Sequence, residues 1–379
     1  MSVRTALVAA TAVVAAVALA APVAAAAPAA PRAGHDATRA AMDANIRDGV
    51  VGIALQAKDA RGVWKATAGK GDLRTGEPRT ARDRFRAGSI TKTFVATVLL
   101  QLEAEGRLSL DATVDRWLPG LVRGNGHDGR RVTVRQLLNH TSGIYNYTTD
   151  EQLGRDLFLA DGFLKNRYRT HTPPQLVGIA MRHEPDFAPG TDWNYSNTNY
   201  LLAGLVIEKV TGNPYGREIR ARIIEPLGLR GTGLPGTSPS LPGPHSRAYS
   251  KLAETAEGKT YDVTRLNPSM AGAAGELVSS PEDLNRFYSA LLRGRLLPKK
   301  QLDAMKTTVP LGDQGGYGLG LIEQTLSCGV RVWGHGGGIH GSLSEAVTTA
   351  DGRHSLTFNL NSDWTGNSQA IVEAEFCGE

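Results

Sequence analysis

Strand-patterned segments stand at both ends of this chain with a long helix-patterned stretch between them, and that order narrows the possible folds most. Val50–Lys58 and Val63–Gly71 carry apolar alternation bounded by glycine, and Asp59–Gly62 has turn composition between them. Strand character returns at Tyr317–Thr325, Val330–Gly334, Leu343–Thr349 and Ser355–Leu360, and Gln369–Phe376 is helical again. Thr91–Glu105 spaces Phe94, Val95, Val98, Leu99 and Leu102 at helical intervals and stops at Gly106. Val132–Asn139, Pro173–Arg182, Asn199–Thr211, Pro214–Leu227 and Pro281–Leu292 read as further helices, the last with a serine cap and an acidic first turn. Pro235–Pro244, with its prolines, reads as an irregular loop. The expected fold is therefore α/β (α+β): an antiparallel sheet formed by both chain ends and flanked by helices. It forms a single domain over 36–379, with a mainly helical subdomain inserted at roughly 107–270.

Composition excludes several alternatives. Of 379 residues, 41% are hydrophobic and 21% charged, too apolar and too mixed in sign for a disordered chain. Two cysteines cannot staple a disulfide scaffold of this length, and the signs of collagen, coiled coil and polytopic membrane proteins are missing. The net charge of +5 is spread along the chain, so no nucleic-acid partner is expected.

The N-terminus reads as a leader. Arg4 precedes an Ala/Val/Leu run from Ala6 to Ala21, and small residues with A-x-A spacing follow between Ala24 and Ala30. Residues 1–27 are thus expected to be a secretory signal peptide, with the mature protein secreted and without a stable membrane anchor. In an oxidising compartment an isolated pair such as Cys328 and Cys377 forms a disulfide, and closing that loop contributes roughly 4 kcal/mol. The alternative, a reactive thiol or metal ligand, lacks a C-x-x-C partner or clustered histidines.

Three short motifs carry chemistry. In Gly88-Ser89-Ile90-Thr91-Lys92, the serine sits at a helix entrance with a lysine three residues on, within reach to act as its base. Alone, the pair reads as an N-cap and a solvated helix charge. In Tyr195-Ser196-Asn197, a phenol that could relay a proton and an amide that could hold a carbonyl face one side of an extended segment; alone, the segment is a capping turn. In Gly334-His335-Gly336-Gly337-Gly338, glycines at a strand edge let a ligand approach the backbone, and His335 could orient or protonate a leaving group. Alone, it is a flexible hairpin. There is no G-x-S-x-G or H-E-x-x-H, and Gly316–Gly320 opens a strand, not a helix, so it is no nucleotide loop; no metal or cofactor is expected.

Together, in this order, the motifs resemble the serine β-lactamase and D-alanyl-D-alanine carboxypeptidase superfamily, in its class C-like branch. Leu137-Leu138-Asn139-His140-Thr141-Ser142-Gly143 matches a segment typical of that branch, and the cysteine pair is similar to secreted actinomycete DD-carboxypeptidases. The resemblance implies that Ser89 forms an acyl-enzyme, that Lys92 and Tyr195 share the proton transfers, and that Asn197 binds the acyl side chain. The Ser89 and Gly338 amides would hold the oxyanion, with Gly336 and Gly337 beside the substrate and Tyr145 and Thr148 as pocket residues. His335 stands where many relatives carry lysine. Gly336 stands where they place threonine or serine, whose hydroxyl helps hold a terminal carboxylate; Arg331 is the available substitute for a missing arginine. The function this implies is a secreted, monomeric D-Ala-D-Ala carboxypeptidase acting on peptidoglycan-like peptides and acylated by β-lactams. A β-lactamase, a D-amino-acid esterase or amidase, and a catalytically silent penicillin-binding or sensor protein stand as alternatives.

Overall fold

Asp59 turns the chain at its first hairpin. Its carboxylate accepts from the backbone N–H groups of Arg61 (2.8 Å) and Gly62 (3.2 Å), a local turn that returns the chain on itself. The strands it joins, β1 (Gly52–Asp59) and β2 (Gly62–Gly69), pair from Gly52↔Gly69 to Asp59↔Gly62. The computed structural model describes residues 34–253, 255–312 and 315–378; the leader expected at 1–27 lies outside them. From His35 onward the chain forms one compact unit.

Six more strands complete the sheet: β3 (Val309–Pro310), β4 (Gly315–Tyr317), β5 (Ile322–Thr325), β6 (Arg331–Ile339), β7 (Ser342–Thr349) and β8 (Ser355–Leu360). Their order is β2-β1-β8-β7-β6-β5-β4-β3, and every neighbouring pair is antiparallel. The chain ends meet where Ile53 of β1 pairs Leu360 of β8. Because β1 is thereby an inner strand, its first six residues are all buried and the alternation in its sequence does not become an exposed face.

Five helices position the site: α1 (Asp36–Arg47), α2 (Thr91–Ala104), α3 (Asn197–Thr211), α4 (Pro281–Leu292) and α5 (Ser368–Cys377). Successive strand residues point to opposite faces of the sheet, so Val332 packs in the layer under α1 and α5 while Trp333 packs in the layer with α2 and α4. We call these the back and front layers. In the front layer α2 is buried on nearly every side, with Phe94 stacked on Phe287 of α4 at 3.7 Å between centroids. Each such aromatic contributes roughly 1.5–3 kcal/mol by burial.

The structure departs from the sequence reading at several elements. The single strand expected over Tyr317–Thr325 is two, separated by a turn in which Gly320 takes φ 68° and would set a Cβ 2.7 Å from Tyr200 Oη. The strand expected to end at Gly334 runs to Ile339, because β7 pairs it along its whole length, Gly336↔Glu345 and Gly338↔Leu343 included. The glycine run is therefore strand, not hairpin. α1 was not anticipated: it buries only the narrow stripe Thr38, Met42 and Asn45 in a mostly polar segment. Cys328 and Cys377 are joined, with Cα atoms 5.7 Å apart, linking the turn before β6 to the end of α5.

Candidate active site

Two close backbone approaches bring the entrance of α2 against β6. Gly88 takes φ 54°, and a Cβ there would lie 2.7 Å from the amide nitrogen of Gly338. A Cβ on Gly337 would lie 1.9 Å from the Ala87 carbonyl oxygen and 3.1 Å from the Ser89 nitrogen. Only glycine fits at either position. Their closeness sets the Ser89 and Gly338 amides at one junction, where a developing oxyanion would find two donors.

Lys92, the second residue of α2 and three beyond Ser89, is fully buried. Its Nζ lies 3.0 Å from Ser89 Oγ, 2.8 Å from Asn197 Oδ1 and 2.7 Å from the Ala274 carbonyl oxygen. All three neighbours are neutral, and burial holds the amine well below the ordinary lysine value. A neutral amine has two N–H donors and one lone pair. The donors match Asn197 and Ala274, which leaves the lone pair facing the Ser89 hydroxyl. Lys92 is thus built as a base, and the solvated-charge reading is excluded by its burial. Its Nζ also sits 4.9 Å from the centroid of Tyr195, whose hydroxyl bonds Ser89. Burial pushes that phenol up, more than the Ser89 contact lowers it, so Tyr195 keeps its proton.

Asn197 opens α3 and ties three groups together. Its backbone N–H donates to Asn146 Oδ1 (3.0 Å), its Nδ2 donates to Thr148 Oγ1 (3.2 Å), and its Oδ1 meets Lys92. Thr148 in turn donates to Asn146 Oδ1 at 2.9 Å. Thr148 is therefore part of the group. Tyr145 lies at its flank: the ring stacks on His183 at 3.9 Å, and its carbonyl accepts from Thr198 Oγ1 at 2.7 Å.

His335 reaches the site but does not join the proton chain of Ser89. Its Nε2 lies 2.9 Å from Tyr317 Oη and its Nδ1 2.5 Å from the Gly336 carbonyl oxygen. Since a carbonyl can only accept, Nδ1 carries the hydrogen and Nε2 accepts from the tyrosine. Burial, with Lys92 nearby, pushes the ring down to about 3, so it is neutral. Both nitrogens are engaged and the ring centroid is 6.4 Å from that of Tyr195. In this geometry His335 holds the backbone of β6, its two ring nitrogens taken by Tyr317 and Gly336. Arg331, the substitute arginine, is exposed and pairs with Glu323 at 3.4 Å.

Four contributors escaped the sequence reading. His140 is buried, and its Nδ1 accepts from the Ser196 N–H and Asn199 Nδ2, both at 3.2 Å, while its ring lies 4.3 Å from that of Tyr195. It pins the loop that carries Tyr195 and Asn197. Its signal was present in the Leu137–Gly143 segment, but no role was attached to it. Tyr317 stood in the Gly316–Gly320 run, weighed only as a nucleotide loop. Asn146 adjoins the pocket candidates. Ala274 acts through its carbonyl and leaves no trace in side-chain chemistry.

A serine beside a buried lysine, a protonated tyrosine and two converging amides is the equipment of an acyl-transfer hydrolase. The chain matches the beta-lactamase family over residues 35–363 and belongs to it, as a serine hydrolase of the β-lactamase and penicillin-binding protein superfamily. It is similar in structure to a D-stereospecific amidohydrolase from a Streptomyces species, at 59% identity and TM-score 0.87 over 91% of this chain and 99% of that one. It is also similar to the D-amino acid amidase of Ochrobactrum anthropi SV3, at 29% identity and TM-score 0.77 over 90% and 97%. Penicillin-binding protein 4* of Bacillus subtilis is 28% identical over 345 residues, 85% of this chain and 71% of that protein.

Proposed function

We propose that this protein is a D-aminoacyl amidohydrolase, which transfers the acyl group of a D-amino acid amide or ester to Ser89 and then to water. In acylation, Ser89 Oγ bonds to the carbonyl carbon and gives its proton to Lys92 Nζ, and the Ser89 and Gly338 amides hold the oxyanion. The bond to the leaving group then breaks. Tyr195 supplies the proton that the departing nitrogen or oxygen needs and recovers one from Lys92. Water repeats the sequence on the acyl-enzyme and releases the acid.

The observation that carries the substrate class is the state of His335. The side chain that could have presented a cation beside Gly336 is neutral, with both nitrogens engaged, so it offers a free terminal carboxylate no charge partner. That disfavours a carboxypeptidase substrate and favours amides and esters. The relatives named above, a D-stereospecific amidohydrolase and a D-amino acid amidase, support the same reading. Likeness to penicillin-binding protein 4* favours a second reading, the D-Ala-D-Ala carboxypeptidase. Under either one, benzylpenicillin is expected to acylate Ser89. The leader-like N-terminus and the cysteine pair support a secreted site of action.

The test is turnover of D- and L-phenylalanine amide and of a D-Ala-D-Ala peptide, with Ser89→Ala as control. The D-amide should be cleaved fastest and the control should be inert. Faster cleavage of the D-Ala-D-Ala peptide, or a preference for the L-amide, would overturn the assignment.

A further inference from the structure

β5 leaves β6 after Gly334, so the edge of β6 from His335 to Ile339 has no strand partner on that side among the described residues. Every pair in the sheet is antiparallel. A substrate backbone laid on this edge in the same sense runs from Ile339 toward His335. With the scissile carbonyl at the Ser89 and Gly338 amides, the acyl part then lies by Ile339 and the leaving group beside Gly336.

Glu345 stands opposite Gly336 on β7. Leu343 and Val347, two residues to either side, pack in the back layer, so the Glu345 side chain leaves the sheet on that face. There it fills the space a side chain at position 336 would take: a Cβ on Gly336 would lie 2.8 Å from Glu345 Oε2, and the next two atoms it would meet are also of that carboxyl group. The group is half-buried and has no hydrogen-bond or ion-pair partner among the described residues. None of the described residues neutralises it. Burial pushes it up to about 7, so in mildly alkaline solution it is an anion.

We infer that Glu345 is a specificity-determining residue of the leaving-group subsite: set against Gly336, it turns away leaving groups that carry a free carboxylate and admits uncharged or amine-bearing ones. The inference deepens the amidohydrolase reading and takes its substrate class from it. A carboxylate held beside another carboxylate is repelled, whereas an ester alkyl group, a carboxamide or an ammonium is not.

The experiment compares the wild type with Glu345→Gln at about pH 8.5, where the glutamate is ionised. The first measurement is the ratio of kcat/KM for D-Phe-D-Ala amide to that for D-Phe-D-Ala, a ratio that does not depend on how much of either protein is folded. The wild type should prefer the capped peptide by at least about tenfold, and the variant should bring the ratio within about threefold. An equal ratio in both proteins overturns the role of Glu345. The second measurement is the acylation rate constant with benzylpenicillin, whose carboxylate adjoins the ring nitrogen that leaves, followed by intact mass. It should rise about tenfold in Glu345→Gln, and no change or a fall overturns the inference. Failure of the D-aminoacyl reading itself would show differently: the wild type would cleave neither dipeptide, while the penicillin rates would still report on Glu345.

Discussion

Two buried ionisable groups, one on each face of the sheet, are handled in opposite ways. Glu375 in the back layer is surrounded by hydrogen-bond partners: Thr38 Oγ1 donates to it at 2.7 Å, and His354 and His35 lie at 2.8 and 3.0 Å. Burial alone would raise its carboxyl, but these bonds outweigh it and hold the group below the usual carboxylate range. Lys92 in the front layer has no countercharge in contact among the described residues, only a hydroxyl, an amide and a carbonyl, and burial keeps its amine low. The first arrangement favours the charged form and ties α1 to α5. The second favours the neutral form and keeps a base ready beside Ser89. Burial serves stability where the charge is satisfied and reactivity where it is not.

Exchanging each group for a neutral one of similar size separates the two roles. Lys92→Met should lower turnover by about 10²–10⁴-fold, because the general base is lost. It should cost less stability than the glutamate change, since removing the buried amine also removes its desolvation penalty; turnover and chemical unfolding measured on one preparation check both. Wild-type kcat/KM should hold down to a pH below the ordinary lysine range and fall only as Lys92 protonates, so an acid limb at that ordinary value would contradict a neutral amine.

Glu375→Gln should reverse the pattern, with turnover nearly unchanged and an unfolding free energy lower by about 1–3 kcal/mol. The pH dependence follows from the same group. Its folded pKa lies below the unfolded one, so its contribution is fully present above the unfolded carboxyl value and is lost as pH falls through the folded value. Melting temperatures recorded across the acid range should therefore converge for the wild type and Glu375→Gln. Tyr317→Phe should cost about tenfold on turnover, well short of the loss from Lys92→Met, by leaving the buried Nε2 of His335 without a donor. If that loss exceeds the loss from Lys92→Met, His335 belongs in the proton chain after all.

Much of this was legible before the structure, for reasons that differ by element. Ser89, Lys92, Tyr195 and Asn197 were found because their side-chain chemistry and spacing are informative one motif at a time, and the structure brings all four together. The α2 helix was found because its apolar spacing is regular. His335 is legible as a site residue, but its contact with Tyr317 is not, since that tyrosine arrives from another strand of the sheet to occupy Nε2. Ala274 and Glu345 could not be found at all. One acts through its backbone, and the other matters only because register places it opposite a glycine. Local pattern reports on helices and motifs; cross-strand neighbours are a property of the closed sheet.

The closing pair of that sheet also orders events in time. β1 is made early, yet one of its two partners, β8, is the last of the eight strands in chain order. The amide of Gly338 is likewise synthesised long after Ser89. Until the C-terminal strands have paired, the nucleophile stands without the second amide of its oxyanion site. Such long-range pairing also predicts slow folding.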